Sequence, residues 1–352
     1  MFTWYEKYGT IIIAISTYSL NGTMDYVLHK KAVKSLNMKE KLAVIIGPTA
    51  VGKTKLSIQL AKRFNGEIIS GDSMQIYRGM DIGTAKIKEH EMDGVPHHLI
   101  DIRNPDETFS VKEFQELVRN KIKEIAKNNH LPIIVGGTGL YIQSVLYDYQ
   151  FSDVSENKEL RERLFRKAEE EGREALYSEL QSIDPKSAQN IHPNNVRRVV
   201  RALEIFYTTG KTMSEYVDNQ NEELLYDVAL VGLTMDRELL YKRINKRVDL
   251  MLEEGLIEET KRLYEKGLRN DQSVQAIGYK ELFEYFEGRL TLEMAIDLIK
   301  KNSRHYAKRQ LTWFRNKMNV QWFDMTDFSN EEKIFEKISQ YVAGKLDLKS
   351  NT

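Results

Sequence analysis

Short apolar runs alternate with longer amphipathic stretches along most of this chain. Leu42–Ile46, Glu67–Ser70, Leu131–Val135, Val228–Leu233 and Val320–Phe323 have the length of strands, and the continuous apolar ones suit strands buried on both faces. Helical spacing fills the intervals. Leu56, Leu60, Ala61 and Phe64 share one face; Phe114, Leu117, Val118, Ile122 and Ile125 form the stripe of a helix over Ser110–Asn128, opened by a Ser110/Glu113 capping box. Tyr241, Ile244, Val248 and Met251 make a third such stripe, and a helix over Glu331–Val342 closes the pattern. Strand–helix alternation of this kind predicts an α/β core with a parallel sheet.

Two regions break the alternation. From about Val154 to Asn221 the chain is charged and helical, with RERLFRKAEEEG at 161–172 and NNVRRVVRALEIF at 194–206. It reads as an inserted helical subdomain, 154–221, dividing a core of 38–153 and 222–345. Residues 1–37 read as an extension outside the fold. Their apolar run, Ile11–Ile15, is far below the ~20 residues needed to span a bilayer, no cleavage pattern of a signal peptide follows it, and Met24 and Met38 are possible alternative starts. No membrane association is expected.

Between the first strand and its helix lies G-x-x-x-x-G-K-T: Gly47, Pro48, Thr49, Ala50, Val51, Gly52, Lys53 and Thr54. Its glycines let successive backbone N–H groups turn inward at a helix N-terminus, which makes a nest for a polyphosphate. Lys53 adds a full positive charge, and the Thr54 hydroxyl can take one position on Mg2+. After the second strand comes Gly-Asp-Ser-Met-Gln, 71–75, which places Asp72 at the carboxyl end of a strand, where ligands of parallel sheets sit. Such a carboxylate is a magnesium ligand, a general base toward a second substrate, or a plain turn residue. Residues 77–105 read as one long loop, and His97–His98 lack the spacing of a paired metal site. The third strand ends in Gly136-Gly137-Thr138-Gly139, where a triphosphate hydrolase often carries an acid. Glycines there allow close approach of a ligand, and Thr138 offers a hydroxyl.

Composition adds less. The 352 residues are 41% hydrophobic, enough for a sizeable core, and 52 basic residues balance 52 acidic ones, so nucleic-acid binding would rest on local patches. The absence of cysteine excludes disulfides, thiolate chemistry and cysteine-ligated zinc, and fits a reducing, cytoplasmic setting. Local cations do occur. Arg197 and Arg201 share a helix face with Arg198 beside it, while Val199 and Val200 serve packing; Arg243 and Arg247 pair on another helix, placed to clamp a phosphate. Gln275-Ala276-Ile277-Gly278-Tyr279-Lys280 reads as a glycine-interrupted turn. Arg304-His305-Tyr306-Ala307-Lys308-Arg309-Gln310-Leu311-Thr312-Trp313-Phe314-Arg315 interleaves cations with aromatics, which suits phosphates and unstacked bases or, equally, an amphipathic helix with Trp313 and Phe314 as core.

GPTAVGKT, GDSMQIYRGMDIGTAK, GGTGLY, QAIGYK and KRQLTWFR, in this order, resemble the motifs of bacterial tRNA dimethylallyltransferases over roughly residues 40–325. The resemblance implies a nucleotide-kinase-like P-loop fold whose loop holds the diphosphate of dimethylallyl diphosphate with Mg2+. It implies transfer of the allyl group to N6 of the adenosine 3′ of the anticodon, in tRNAs reading codons that begin with U. It assigns Asp72 as base, Thr138 to orientation, Arg247 to the diphosphate with Arg243 as companion, and the tRNA anticodon stem-loop to Asp72, Ser73, Met74, Gln75, Thr138 and the segments 197–201, 275–280 and 308–315. A monomer is expected. A small-molecule kinase using ATP, an adenylate isopentenyltransferase acting on a free nucleotide, and a non-catalytic RNA-binding protein are the competing readings; the basic insertion argues against the second.

Overall fold

The first strand, β1 (Lys41–Ile46), alternates its side chains between two apolar layers: Leu42, Val44 and Ile46 enter one cluster, Ala43 and Ile45 the other. This is why the run shows no polar face. The computed structural model describes residues 6–7, 10–11, 39–149, 151, 157–218 and 223–349. At the amino terminus Glu6–Lys7 pairs antiparallel with Thr10–Ile11, and the rest of the expected extension lies outside the described residues, as do residues 152–156 and 219–222 at the edges of the expected insertion.

From β1 the chain runs through α1 (Lys53–Phe64), β2 (Gly66–Gly71), β3 (His97–His98), α2 (Val111–Lys127), β4 (Leu131–Gly136) and α3 (Gly139–Leu146). Helices α4 (Lys158–Glu170), α5 (Arg173–Ile183), α6 (Pro185–Asn190), α7 (Val196–Thr209) and α8 (Met213–Asp218) follow. The chain then returns as β5 (Asp227–Thr234), α9 (Arg237–Glu253), α10 (Leu256–Glu265), α11 (Tyr279–Phe286), α12 (Leu292–Lys317), β6 (Gln321–Asp324) and α13 (Glu331–Leu346). The sheet has the order β3-β2-β4-β1-β5-β6, with every pair parallel. Gly136 stands opposite both Ile46 and Gly71, so β1, β2 and β4 end at one level, while β5 passes it at Gly232 and runs on to Thr234. The functional loops rise from that edge.

Helices cover both faces. Phe114, Val118 and Ile122 of α2 pack on one side of the sheet; Leu60 of α1 and Ile338 and Val342 of α13 pack on the other. Helices α4–α8 bury a core of their own, including Leu164, Leu176, Leu180, Val199 and Leu203. A smaller cluster of Val248, Leu256, Leu282, Ala295 and Ile299 ties α9, α10, α11 and α12 together.

The expected loop over residues 77–105 is not wholly irregular. It contains a turn of 3-10 helix at Glu89–Glu91 and the two-residue strand β3, paired with Ile68 and Ile69 of β2. Two residues carry no period, so the strand was invisible as pattern. Its anchor is a side chain: the Glu67 carboxylate holds His98 Nε2 at 2.6 Å through one oxygen and His130 Nδ1 through the other. Likewise, the turn over 275–280 gives way at Tyr279 to helix α11.

Candidate active site

The phosphate-loop spacing takes its shape from backbone that side chains would obstruct. Gly47 has φ +151°, and a Cβ there would sit 2.7 Å from the Leu233 carbonyl oxygen; Gly52, at φ +108°, caps α1. Thr49, Ala50, Gly52, Lys53 and Thr54 line a cavity, whereas the Val51 side chain is buried in the core. Lys53 Nζ donates to the carbonyls of Gly47 (2.9 Å) and Pro48 (2.8 Å). Burial, with Arg247 as a second cause, pushes its ammonium down to about 7, although Asp72 pulls the other way.

Asp72, Arg243 and Arg247 reach this cavity from β2 and α9, with Ser70, Gln75, Thr84 and His97 completing much of the wall. Asp72 Oδ1 accepts from the Met74 amide at 2.8 Å, an Asx turn that orients the carboxylate. Arg247 is depressed below the usual guanidinium range by burial, and next to Arg243, while Asp72 opposes the shift. A second cavity adjoins the first. It is lined by Ser73, Met74, Gln275, Ala276, Ile277, Gly278, Lys280 and Arg309, together with the apolar Ile244, Val248, Met251, Leu256 and Ile299. Thr49, Asp72, Thr84, Ala85, Arg247 and Tyr306 line both. A carboxylate and a guanidinium thus stand where a phosphate-loop chamber meets a more apolar one.

The model of the IPP transferase family matches residues 75–317. This chain belongs to that family. A tRNA dimethylallyltransferase of Bacillus cytotoxicus is 66% identical over 313 residues, which cover 89% of this chain and 98% of that one. Among solved structures, the full-length tRNA isopentenylpyrophosphate transferase of Bacillus halodurans is 56% identical, with a TM-score of 0.67 over 88% of this chain and 97% of its own. A eukaryotic dimethylallyltransferase acting on tRNA is 33% identical, with a TM-score of 0.75 over 89% of this chain and 81% of its own.

The structure divides the expected site residues of this chain among cavity wall, support and surface. Gly136 and Gly137 line the phosphate-loop cavity, but the glycines also serve packing: a Cβ on Gly137 would lie 2.0 Å from Gln310 Nε2, and one on Gly139 2.1 Å from Trp313 Cδ1, so both admit helix α12. Gln310, expected among tRNA contacts, is a strut: its Oε1 accepts from the Thr49 amide (2.9 Å) and its Nε2 donates to the Gly137 carbonyl (3.1 Å). Gln75 is similarly occupied, accepting from Ser70 Oγ at 3.0 Å and donating to the carbonyls of Thr84 and Ala85. Val199, Val200, Tyr279 and Phe314 are buried in the core, and Arg201 pairs with the buried Glu204 at 2.7 Å, a carboxylate that also accepts from Arg161. Arg197, Arg198, Gln275, Lys308, Arg309, Thr312 and Arg315 are exposed, and Leu311 is half-buried. Thr138 lines neither cavity; its Oγ1 is buried without a hydrogen bond of regular geometry.

Tyr306 falls in the expected run of cations and aromatics but had no site role assigned to it. It lines both cavities; burial, followed by Asp72, pushes its hydroxyl up to about 12, with Thr138 and Gln310 as neighbours that lower it. The signal was present in the spacing. Tyr306, Gln310 and Trp313 recur at helical intervals on one face of α12, and that face meets the loops.

Proposed function

We propose that this chain transfers the dimethylallyl group of dimethylallyl diphosphate to N6 of the adenosine 3′ of the anticodon, in tRNAs that read codons beginning with U. The observation that carries the reading is the wall common to the two cavities, with Asp72 and Arg247 in it. The diphosphate lies against the loop 47–54, with Lys53, Arg247 and Arg243 absorbing charge as the allylic C–O bond breaks and its electron pair leaves with the diphosphate. The adenine N6 lone pair forms the new C–N bond, and Asp72 takes the N6 proton. Thr138, which lines neither cavity, acts through the neighbouring Tyr306, whose hydroxyl orients this carboxylate or the entering base. The adenine is unstacked to reach that wall, as in other enzymes that modify bases.

Thr54 would hold Mg2+. The fit is one of donor chemistry: its hydroxyl lines the same cavity as the Asp72 carboxylate, so the donors are hard oxygens, and the bound ion would neutralise charge on the leaving diphosphate. The exposed Arg197 and Arg198 on α7, Gln275 and Lys280 by the second cavity, and Lys308, Arg309, Thr312 and Arg315 on α12 offer a surface for the anticodon stem-loop. We assign residues 154–221 to an inserted tRNA-binding subdomain, 38–153 and 222–345 to the catalytic core, and 1–37 to an extension. A monomer is the state proposed; among the described residues no helix is long and apolar enough to cross a membrane, and a cytoplasmic site of action agrees with the lack of cysteine.

The test is incubation with dimethylallyl diphosphate, Mg2+ and unmodified tRNA, followed by nucleoside mass analysis. Prenylated adenosine in tRNA is expected. Phosphoryl transfer from labelled ATP, or prenylation of free adenylate alone, would replace this reading with one of its competitors.

A further inference from the structure

Glu259, on α10, is 2% exposed, and its carboxylate is saturated by donors from elsewhere in the fold. Its Oε2 accepts from the amides of Asp81 and Ile82, each at 2.9 Å; its Oε1 accepts from the Gly83 amide at 3.0 Å and the Tyr279 hydroxyl at 2.6 Å. Three successive amides of one loop thus point at a single buried anion, which acts toward them as a bound ligand would toward a nest. Gly83 is obligatory here because a Cβ would come within 2.6 Å of the Tyr279 ring and hydroxyl.

What the carboxylate holds is part of the reacting site. The next two residues, Thr84 and Ala85, line both cavities at their common wall. The Gln75 amide donates to their carbonyls, so the loop is tied on its other side to the segment that carries Asp72. Tyr279 begins α11 directly after Ile277 and Gly278 of the second cavity. We propose that Glu259 is a positioning residue for the transfer, setting the height of Thr84–Ala85 and registering the acceptor chamber against the donor chamber through Tyr279. It touches no substrate. The proposal rests on the transferase reading above.

Glutamine in its place is diagnostic. Whichever way the amide is turned, its NH2 faces two donors; the Tyr279 hydroxyl can reverse and accept, but at least one backbone N–H is left without a partner. For Glu259→Gln we expect kcat to fall about 10- to 100-fold, as for a misplacement near one ångström, while the Kd for inorganic diphosphate and for tRNA each change less than about threefold. Amide hydrogen exchange at residues 81–83 should accelerate while the protection of β1 and β4 is kept. Tyr279→Phe, which removes one donor and no charge, should give a smaller loss of kcat with the same split, and the double variant should lose less than the product of the two. Wild-type turnover in the same assay tests the transferase reading separately. Faster exchange at 81–83 with unchanged kcat, or a kcat loss matched by equal losses of diphosphate and tRNA affinity, would overturn the proposal. If Glu259→Gln does not fold, an unchanged kcat in Tyr279→Phe overturns it.

Discussion

Lys53 sits in the phosphate loop with an ammonium that burial, and then Arg247, have pushed down to about 7, so near neutrality the free site holds it only partly charged. A bound diphosphate reverses the balance, because anionic oxygens favour the protonated form. Binding of inorganic diphosphate should therefore take up a proton above that value, and affinity should fall as pH climbs from about 7 toward the higher pKa of the complex. Calorimetry near about pH 8.5, in buffers of different ionisation enthalpy, should report a proton uptake greater by up to about one in the wild type than in Lys53→Met, the last ionisation of the diphosphate being common to both. Equal proton balances in the two proteins would remove Lys53 from the diphosphate site. Asp72 offers the complementary test on the acceptor side. Asp72→Ala should lower prenylation by about 10²- to 10⁴-fold, the range for a lost general base, while tRNA still binds; retained turnover would take the role of base away from it. Both residues were legible in the sequence since a glycine spacing and a strand end fix them locally. The supporting role of Gln310 was not, although its helical spacing from Tyr306 and Trp313 was, for its partners lie far away in the chain: it bonds Thr49, 261 residues earlier, and Gly137, 173 residues earlier.

Among the helices, α7 and α12 show how one stretch of sequence divides between surface and support. On α7, Arg197 and Arg198 are exposed, while Arg201 spends its charge on Glu204, a residue with no exposure. Arg197→Ala should weaken tRNA binding and reduce the slope of log affinity against log salt by about 1, with the fold unchanged. Arg201→Ala should instead lower stability by about 1–3 kcal/mol, as a buried acceptor loses one charged donor, with Arg161 still in place. Salt-dependent binding together with thermal unfolding separates the two, and a stable Arg201→Ala that binds tRNA poorly would return that side chain to the interface. Periodicity showed α7 and its packing residues, and left α12 open between a helix and an aromatic-basic surface. It could not show that Gly137 and Gly139 are small on behalf of α12, because a close approach between elements leaves only the bare glycine as its trace in sequence.

Across the whole molecule, the strand order β3-β2-β4-β1-β5-β6 had no local signal, since parallel strands are joined through helices and any strand can neighbour any other. The edge strand β3 is the extreme case: two residues held by a carboxylate at the opposite end of β2 from Asp72. Glu67 joins β2 to β3 through His98 and to the start of β4 through His130. Burial alone would raise its carboxyl, but hydrogen bonds from His130 and His98 outweigh it and hold the group below its ordinary value of 4.5. A carboxyl lowered on folding gives stability that is complete above the unfolded pKa and disappears as pH falls through the folded one. The wild type should therefore lose cooperative structure on acidification below about pH 4.5, and Glu67→Gln should be less stable near neutrality with a flatter acid limb. His97, next along β3, lines the cavity of the phosphate loop, so unfastening this edge has a consequence at the site as well. Near-UV circular dichroism against pH, read beside diphosphate affinity at pH 7, checks both halves: an acid limb unchanged in Glu67→Gln would show that the cluster is incidental to the sheet, and an unchanged affinity would show that β3 does not hold the donor chamber in shape.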